Sequence, residues 1–274
     1  MEIKKMMREL ERDYVHGSSW YFSRISEILK SVDDFEEFTL WLEKLRPGMA
    51  PLSLVSEILK EFHPRGKEDL EYLSSVLLDE INEAKIRIGK NAPRDLGNVI
   101  TVSYSSAVLS LISNANVDRV YLLRSNPGTE YRDAAREYGK FSDVVVIPDS
   151  SCAYFAGKAD YVLTGFDGIY RNGFISNKIG TRPLLISAAE EGKDVIAAGE
   201  SYKAQLENPS DMAMKKIRKT DGSLKIPLLE LIPLKYITKI ISDIGTLEPS
   251  EISVQKMYSS FRGRIESRIR KFTK

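Results

Sequence analysis

The hydrophobic pattern of the chain changes once, near residue 92, and this change limits the folds that the chain can adopt. Before it, apolar residues recur every three or four positions, as on one face of an α-helix. After it, short β-branched runs alternate with helical runs. We therefore expect a helical domain over residues 1–92 and an α/β domain over residues 93–274.

Start and stop signals divide the first domain into helices. Asp33 or Asp34 is placed to cap one helix, and Gly89 is placed to end another. Arg46-Pro47-Gly48 separates two of the helices, because proline and glycine interrupt the helical hydrogen bonds. The predicted helices are a charged one at the start of the chain, Trp20–Lys30, one with Phe35, Phe38, Leu42 and Leu45 on one face, one from about Pro51, and Lys67–Ile88.

The second domain has the strand–helix alternation of a parallel sheet that is covered on both faces. Right-handed crossovers make such a sheet doubly wound, so the predicted fold is α/β with a Rossmann-like sheet. Lys203–Leu228 lacks a clear period and is predicted to be a long loop. The predicted strands are Val99–Tyr104, Arg119–Leu123, Asp143–Pro148, Asp160–Thr164, Asp194–Ala198 and Tyr236–Ser242, and the predicted helices are Ser106–Ser113, Thr129–Tyr138, Ser151–Gly157 and Pro183–Glu191.

Composition excludes several classes of protein. Lys and Arg number 40 against 39 Asp and Glu, so the chain is not basic overall in the manner of proteins that coat nucleic acid. One cysteine and two histidines exclude an internal disulfide, a multi-cysteine zinc site and a three-histidine site, and we expect no metal or cofactor. No run of about 18 apolar residues is present and the charged start lacks a signal core, so we expect a cytoplasmic protein.

The end of the chain departs from this balance of charge. Lys256–Lys274 carries seven basic residues and one acidic residue, Glu266, with apolar residues three or four apart. The pattern predicts an amphipathic helix with a basic face. Such a face is usually solvated, and binding of nucleic acid or of an acidic partner is the less favoured alternative.

Polar residues follow the predicted strands where a parallel sheet binds ligands. The carboxyl ends of the strands share one edge, and ligands bind outside that edge. Hydroxyl and N–H groups at a helix start suit an anion, lysines suit phosphate, and carboxylates accept hydroxyl protons. We therefore predict a site for a phosphorylated, polyhydroxylated ligand, with the candidates Ser103, Ser105, Ser106, Arg124, Asp149, Asp167, Asn177, Lys178 and Lys203.

These candidates also have purely structural interpretations. The serines and Asp149-Ser150 are equally suited to cap helices, and Asn172-Gly173 is suited to form a tight turn. Lys178 favours a ligand more strongly, because a lysine in a glycine- and asparagine-rich loop is not needed there for solvation alone. Cys152 has no histidine near it in sequence to activate it, so it is interpreted as a small packed residue.

Six segments of the chain, taken together and in order, are informative. They are Thr101–Ser106, Asp149-Ser150, Gly165–Asp167, Asn172-Gly173, Asn177–Thr181 and Tyr202-Lys203. They resemble a known superfamily, in which one branch comprises the alpha, beta and delta regulatory subunits of initiation factor 2B, and the other comprises the isomerases of ribose 1,5-bisphosphate and methylthioribose 1-phosphate. The resemblance implies a helical N-terminal domain, a Rossmann-like domain, and dimers formed largely through the latter.

Two departures from the isomerase pattern bear on activity. The isomerases that the chain resembles carry Thr-His-Cys after the first strand, and this cysteine works with the aspartate of Gly-x-Asp to move protons between sugar carbons. Here Asp167 matches the aspartate, but Ser103 stands where the cysteine would be. A serine without an adjacent base is a poor proton shuttle at neutral pH. The phosphate-side motif Glu-Ser-Arg-Pro reads Arg124-Ser125-Asn126-Pro127, which weakens or redirects phosphate binding.

The resemblance therefore favours a non-catalytic, regulatory-subunit-like protein in translation initiation. Its expected partners are a sugar phosphate or nucleotide, subunits of initiation factor 2, and a second copy in a homodimer. The alternative is a divergent aldose–ketose isomerase of a phosphorylated pentose such as ribose 1,5-bisphosphate. In that case Asp167 would be the catalytic acid–base, and a group other than Ser103 or Cys152 would complete the pair.

Overall fold

The first part of the chain is helical. A computed structural model of the protein describes residues 2–209, 211–212, 214–219 and 222–272. The sequence predicts no strand before residue 92, and the described residues before that position contain none. The helices of this part are α1 (Glu2–Arg12), α2 (Ser18–Leu29), α3 (Phe35–Leu45), α4 (Ala50–Phe62) and α5 (Lys67–Lys90).

The ends of these helices follow from local chemistry. Asp34, rather than Asp33, caps α3, and its carboxylate accepts from the N–H groups of Glu36 and Glu37. His63 ends α4 in the left-handed region, at φ 47°. The prediction that Gly89 ends α5 is wrong. The helix runs on to Lys90, and its last carbonyl groups accept from the N–H of Asn91.

The second part of the chain contains the strands. They are β1 (Asp95–Val102), β2 (Asn116–Leu123), β3 (Asp143–Ile147), β4 (Tyr161–Gly165), β5 (Gly168–Tyr170), β6 (Phe174–Lys178), β7 (Asp194–Ala198), β8 (Ala204–Gln205), β9 (Met214–Lys219), β10 (Gly222–Pro227), β11 (Leu229–Pro233), β12 (Lys239–Ser242) and β13 (Gly245–Leu247). Seven of them form a sheet in the order β13-β12-β7-β4-β1-β2-β3. Every neighbouring pair in this sheet is parallel except β12 with β13, which is antiparallel. The predicted Rossmann-like α/β fold is confirmed.

Helices cover both faces of this sheet. Alternate residues of a strand point to opposite faces, so Val99 of β1 packs on one face and Ile100 on the other. The Val99 face is covered by α6 and α7, and the Ile100 face by α8, α9 and the start of α10. These helices are α6 (Ser106–Ile112), α7 (Tyr131–Tyr138), α8 (Cys152–Lys158), α9 (Thr181–Glu190) and α10 (Glu251–Phe272).

The prediction of a long loop over Lys203–Leu228 is wrong for most of this segment, which contains short strands. Lys203 ends a 3₁₀ turn, β8 pairs with β5, and β9 and β10 pair with each other as an antiparallel hairpin. Cross-strand hydrogen bonds stabilise these segments, and the hydrophobic period of a single segment does not reveal them. Residues 210, 213, 220 and 221 of the predicted loop lie outside the described residues.

A second, four-stranded sheet lies beside the first in the order β11-β6-β5-β8. Asn172-Gly173 forms the turn between β5 and β6, with Gly173 at φ 93°, a conformation that glycine adopts without strain. Asn177 and Lys178 therefore lie in strand β6, between β5 and β11, and the prediction that Lys178 lies in a loop is wrong.

The C-terminal helix α10 is amphipathic, and only part of its basic face is exposed to solvent. Phe261 and Ile265 are buried in the core of the helical part. Arg262 pairs with Glu61 of α4, and Arg264 pairs with Glu80 of α5 at 2.8 Å. The remaining exposed cations of the described part of the helix are Lys256, Arg270 and Lys271. The last two residues of the predicted helix, 273 and 274, lie outside the described residues.

None of the helices in the described part of the chain combines the length and the apolar character of a membrane span.

Candidate functional site

A cavity of about 500 Å³ lies between the helical part and the carboxyl edge of the seven-stranded sheet. Its helical wall comes from the start of α2 with the segment before it, and from Arg46, Met49 and Lys85. Its sheet wall comes from the residues that follow β1 and β4, from β6, and from the 3₁₀ turn that ends at Lys203. The candidates that line this cavity are Ser103, Ser105, Ser106, Asp167, Asn177, Lys178 and Lys203.

The turn after β1 brings its serines to the cavity by an unusual backbone conformation. Ser103 is in the left-handed region at φ 63°, and its N–H donates to Ser125 Oγ at 2.7 Å. Its own hydroxyl donates to Glu130 Oε1 at 3.0 Å. Ser105 Oγ caps α6 by accepting from the N–H of Val108 at 3.3 Å. The capping interpretation therefore holds for Ser105, while Ser103 makes a different contact.

Ser103 thus has an adjacent carboxylate, contrary to the premise that no base lies near it. That carboxylate is engaged elsewhere as well, because Glu130 Oε1 lies 2.6 Å from Lys178 Nζ. Both side chains of the pair are buried. The neighbouring Asn177 donates to Thr164 Oγ1 and Thr181 Oγ1, both at 3.0 Å, and these bonds fix the end of β6.

Asp167 connects the two parts of the molecule at the cavity. Its carboxylate accepts from the N–H of Ser18 at 3.0 Å, so it lies at the positive end of α2. Its backbone carbonyl accepts from the N–H of Ala50 at 3.0 Å, at the start of α4. Asp167 is therefore held by two helices of the helical part.

A second buried ion pair lies at Lys203, whose Nζ is 2.9 Å from Glu200 Oε2. Burial favours the neutral form of Glu200, but Lys203 outweighs this effect, and the pKa of Glu200 lies below its ordinary value. Ser19 of α2 donates to the same carboxylate at 3.4 Å. The charge of Lys203, like that of Lys178, is therefore balanced by a carboxylate of the chain.

Two candidates lie outside the cavity. Asp149 accepts from the N–H groups of Ser125 and Asn126 at 2.7 and 3.0 Å, so it holds the turn after β2. Arg124 is exposed, and its guanidinium carbon lies 6.0 Å from the centre of the Tyr131 ring. Cys152 is also remote. It lies in α8, with Sγ 4.0 Å from Ser187 Oγ.

Sequence reasoning did not identify the contribution of the helical part or of Glu130. Arg46 lines the cavity, but its guanidinium group donates to Tyr21 Oη and to the backbone carbonyls of Leu10, Glu11 and Asp13. The run His16-Gly-Ser-Ser at the start of α2 was the available signal, because small polar residues favour a helix start. Nothing in the local sequence distinguished Glu130 from a surface glutamate.

The fold and the cavity together define a class: two-part α/β proteins with a polar cavity between a helical part and the carboxyl edge of a Rossmann-like sheet. The sequence pattern of the Initiation factor 2 subunit family matches residues 41–249. The chain belongs to this family.

Relatives carry two kinds of name. A Pyrococcus horikoshii protein named eIF-2B subunit 2-like is 27% identical over 90% of this chain and 96% of its own. The ribose 1,5-bisphosphate isomerase of Methanocaldococcus jannaschii is 28% identical over 65% of this chain and 63% of its own. The crystal structure of the Pyrococcus horikoshii translation initiation factor eIF-2B superposes with a TM-score of 0.82 at 25% identity, covering 90% of this chain and 97% of the other.

Proposed function

We propose that this chain is a non-catalytic, regulatory-subunit-like member of its family, which binds a phosphorylated sugar or nucleotide in the cavity. The proposal rests on Ser103, a serine at the position where the resemblance implies the isomerase cysteine, and on the chain's one cysteine, which lies outside the cavity. The polar lining and the helix start at Ser18 suit a ligand of that kind.

Ligand binding is tested by thermal unfolding with ribose 5-phosphate and with a nucleoside monophosphate. A ligand at about 100 times its dissociation constant is expected to stabilise the protein by about 2.7 kcal/mol. Lys178→Ala should lose most of this shift relative to its own unliganded form. Arg124→Ala, outside the cavity, is the control and should keep it. No shift with either compound in the wild-type protein would refute this part of the proposal.

Absence of catalysis is tested by incubation with ribose 1,5-bisphosphate and detection of the ribulose product. We expect no product from the wild-type protein. Turnover that Asp167→Asn abolishes would overturn the proposal in favour of an isomerase.

One observation favours that second candidate function. Glu130 and Asp167 both line the cavity, and Glu130 accepts the hydrogen bond of Ser103. Glu130 is thus a group other than Ser103 or Cys152 that could complete a proton-transferring pair with Asp167. In an isomerase of this kind, Glu130→Gln and Asp167→Asn would each abolish turnover.

The proposal also includes a homodimer and a protein partner in translation initiation. The names of the eIF-2B-like relatives support the part in translation initiation, since they match nearly the whole of this chain. Light scattering of the purified protein tests the dimer, and co-elution with purified initiation factor 2 subunits tests the partner. A monomer that does not co-elute would refute this part.

A further inference from the structure

A buried ion pair, Glu130 with Lys178, occupies the corner of the cavity next to Ser103. Glu130 is 4% exposed and Lys178 is 7% exposed. Lys178 Nζ lies 2.6 Å from Glu130 Oε1, which also accepts from Ser103 Oγ. The ammonium group that is best suited by sequence to hold a phosphate therefore already has a counter-ion from the chain itself.

The second oxygen of this carboxylate is left unused by the protein. Glu130 Oε2 is buried and has no hydrogen-bond partner among the described residues. The carboxylate folds back over Gly128, where a Cβ would collide with it. Glu130 belongs to the cavity lining. Oε2 therefore packs against the backbone at Gly128, and Oε1 is the oxygen that lies beside Lys178.

A phosphate in this corner would meet both members of the pair. The Glu130 carboxylate would repel it at nearly the distance at which Lys178 attracts it, so the net attraction would be small. A neutral hydroxyl is not repelled by Glu130, and its oxygen can accept a hydrogen bond from Lys178 Nζ, which has three N–H donors. The charge balance of the corner therefore favours a neutral ligand group over an anionic one.

We propose that Glu130 determines the ligand preference of the cavity: it fills the counter-ion position beside Lys178, so this corner takes a ligand hydroxyl and turns away a phosphate. The identity of the ligand as a sugar phosphate rests on the proposed function, but the property of the corner does not. For sugar phosphates, wild-type protein should bind ribose 5-phosphate more tightly than ribose 1,5-bisphosphate, and Glu130→Gln should reverse this order.

The corner is tested with inorganic phosphate, which needs no knowledge of the ligand. Melting temperatures are measured in phosphate and in chloride of equal ionic strength for the wild type, Glu130→Gln, the double variant Glu130→Gln/Lys178→Met, and Glu137→Gln. Glu137 also lines the cavity, but it pairs with Arg136 and Lys140 at the rim, so its variant removes the same charge without freeing Lys178.

We expect phosphate to bind Glu130→Gln about tenfold or more tightly than the wild type, because one opposing charge beside Lys178 is gone. The rise in melting temperature with phosphate should be absent from the wild type, the double variant and Glu137→Gln. If Glu130→Gln folds in phosphate but not in chloride, the higher refolding yield in phosphate also supports the inference. The inference is overturned if phosphate does not stabilise Glu130→Gln, or if this variant folds in neither buffer. It is also overturned if phosphate stabilises Glu137→Gln equally.

The outcomes separate this inference from the proposed function. Suppose that phosphate raises the melting temperature of Glu130→Gln but no sugar phosphate raises that of the wild type. This result would support the inference and refute the proposed ligand. If a sugar phosphate stabilises the wild type but phosphate does not stabilise Glu130→Gln, the proposed ligand is supported and the inference is refuted.

Discussion

At the scale of single residues, the cavity is electrically balanced although its lysines suggest a basic site. Lys178 is paired with Glu130, and Lys203 is paired with Glu200. Each pair is buried, so each lysine depends on its carboxylate, and removal of one partner leaves an uncompensated charge. Loss of either partner therefore destabilises the fold and also changes the charge of the cavity.

Glu200→Gln should destabilise the protein at neutral pH. Lys203 would keep its buried charge without a counter-ion, at a cost of about 3–5 kcal/mol. Urea unfolding measures the effect. The control is Asp133→Asn, at a half-exposed carboxylate of the cavity lining, which should change the unfolding free energy by less than about 0.5 kcal/mol. Equal effects of the two variants would contradict the importance of the buried pair.

The same pair should make stability depend on pH in the acid range. The pKa of Glu200 is lowered in the folded protein from an ordinary value of 4.5, because the attraction of Lys203 outweighs burial. Its contribution is therefore present above about pH 4.5 and is lost as the pH falls through the folded pKa. Unfolding free energies from pH 7 down to acid pH should fall more steeply for wild type than for Glu200→Gln. Parallel curves would show that the pair is not the cause.

At the scale of elements, helix boundaries follow from single side chains that bond to free backbone groups. Asp34 satisfies two N–H groups at the start of α3, at 3.0 Å and 2.9 Å. Local sequence identified an aspartate here but left Asp33 and Asp34 as alternatives. The capping residue is the one whose carboxylate reaches the N–H groups of the second and third helical residues, and only the tertiary structure shows which one does.

Asp34→Ala should therefore lower the unfolding free energy by about 1 kcal/mol, the usual effect of losing such a cap. Asp33→Ala removes the same charge one residue earlier and should cost less than about 0.5 kcal/mol. Urea unfolding at neutral pH compares the two variants. A larger loss for Asp33→Ala would contradict the assignment of the cap.

The local sequence predicts the buried parallel strands better than the short strands of the second sheet. Asp194–Ala198 was predicted with its observed boundaries, because a buried parallel strand shows as a short apolar run. The strands Gly168–Tyr170 and Phe174–Lys178 were missed. Both are short, contain glycine or polar residues, and are stabilised by pairing with β8 and β11. Pairing of this kind is a tertiary contact, so the local pattern does not reveal it.

At the scale of the whole molecule, α10 joins the helical part to the sheet through arginines. Arg264 contacts Glu80 of α5 and Asp243, which follows β12, at 2.8 and 2.9 Å. It also donates to Ser201 Oγ at 3.1 Å, two residues before Lys203. Both carboxylates are buried, so one guanidinium group connects three separate segments next to the cavity.

Arg264→Ala should lower the unfolding free energy by about 1.5–3 kcal/mol, since two buried carboxylates lose a charged hydrogen-bond partner and keep Arg87 as their cation. Lys256→Ala, an exposed residue of the same helix, should change it by less than about 0.5 kcal/mol. Denaturant unfolding compares the variants. Similar effects of the two substitutions would show that α10 is held by its apolar face alone.

The sequence by itself determined the helical first part, the Rossmann-like sheet and the strand ends where polar residues gather. These features follow from hydrophobic periods and turn residues within short segments. Only the tertiary structure decided how charges are balanced. The N–H of Ser18 meets Asp167 across 149 residues of sequence, Glu130 neutralises Lys178, and Arg262 and Arg264 of α10 pair with carboxylates of α4 and α5. The physical reason is that the Coulomb energy and the hydrogen bonds of a buried group depend on neighbours brought close by folding, and no local pattern contains those distances.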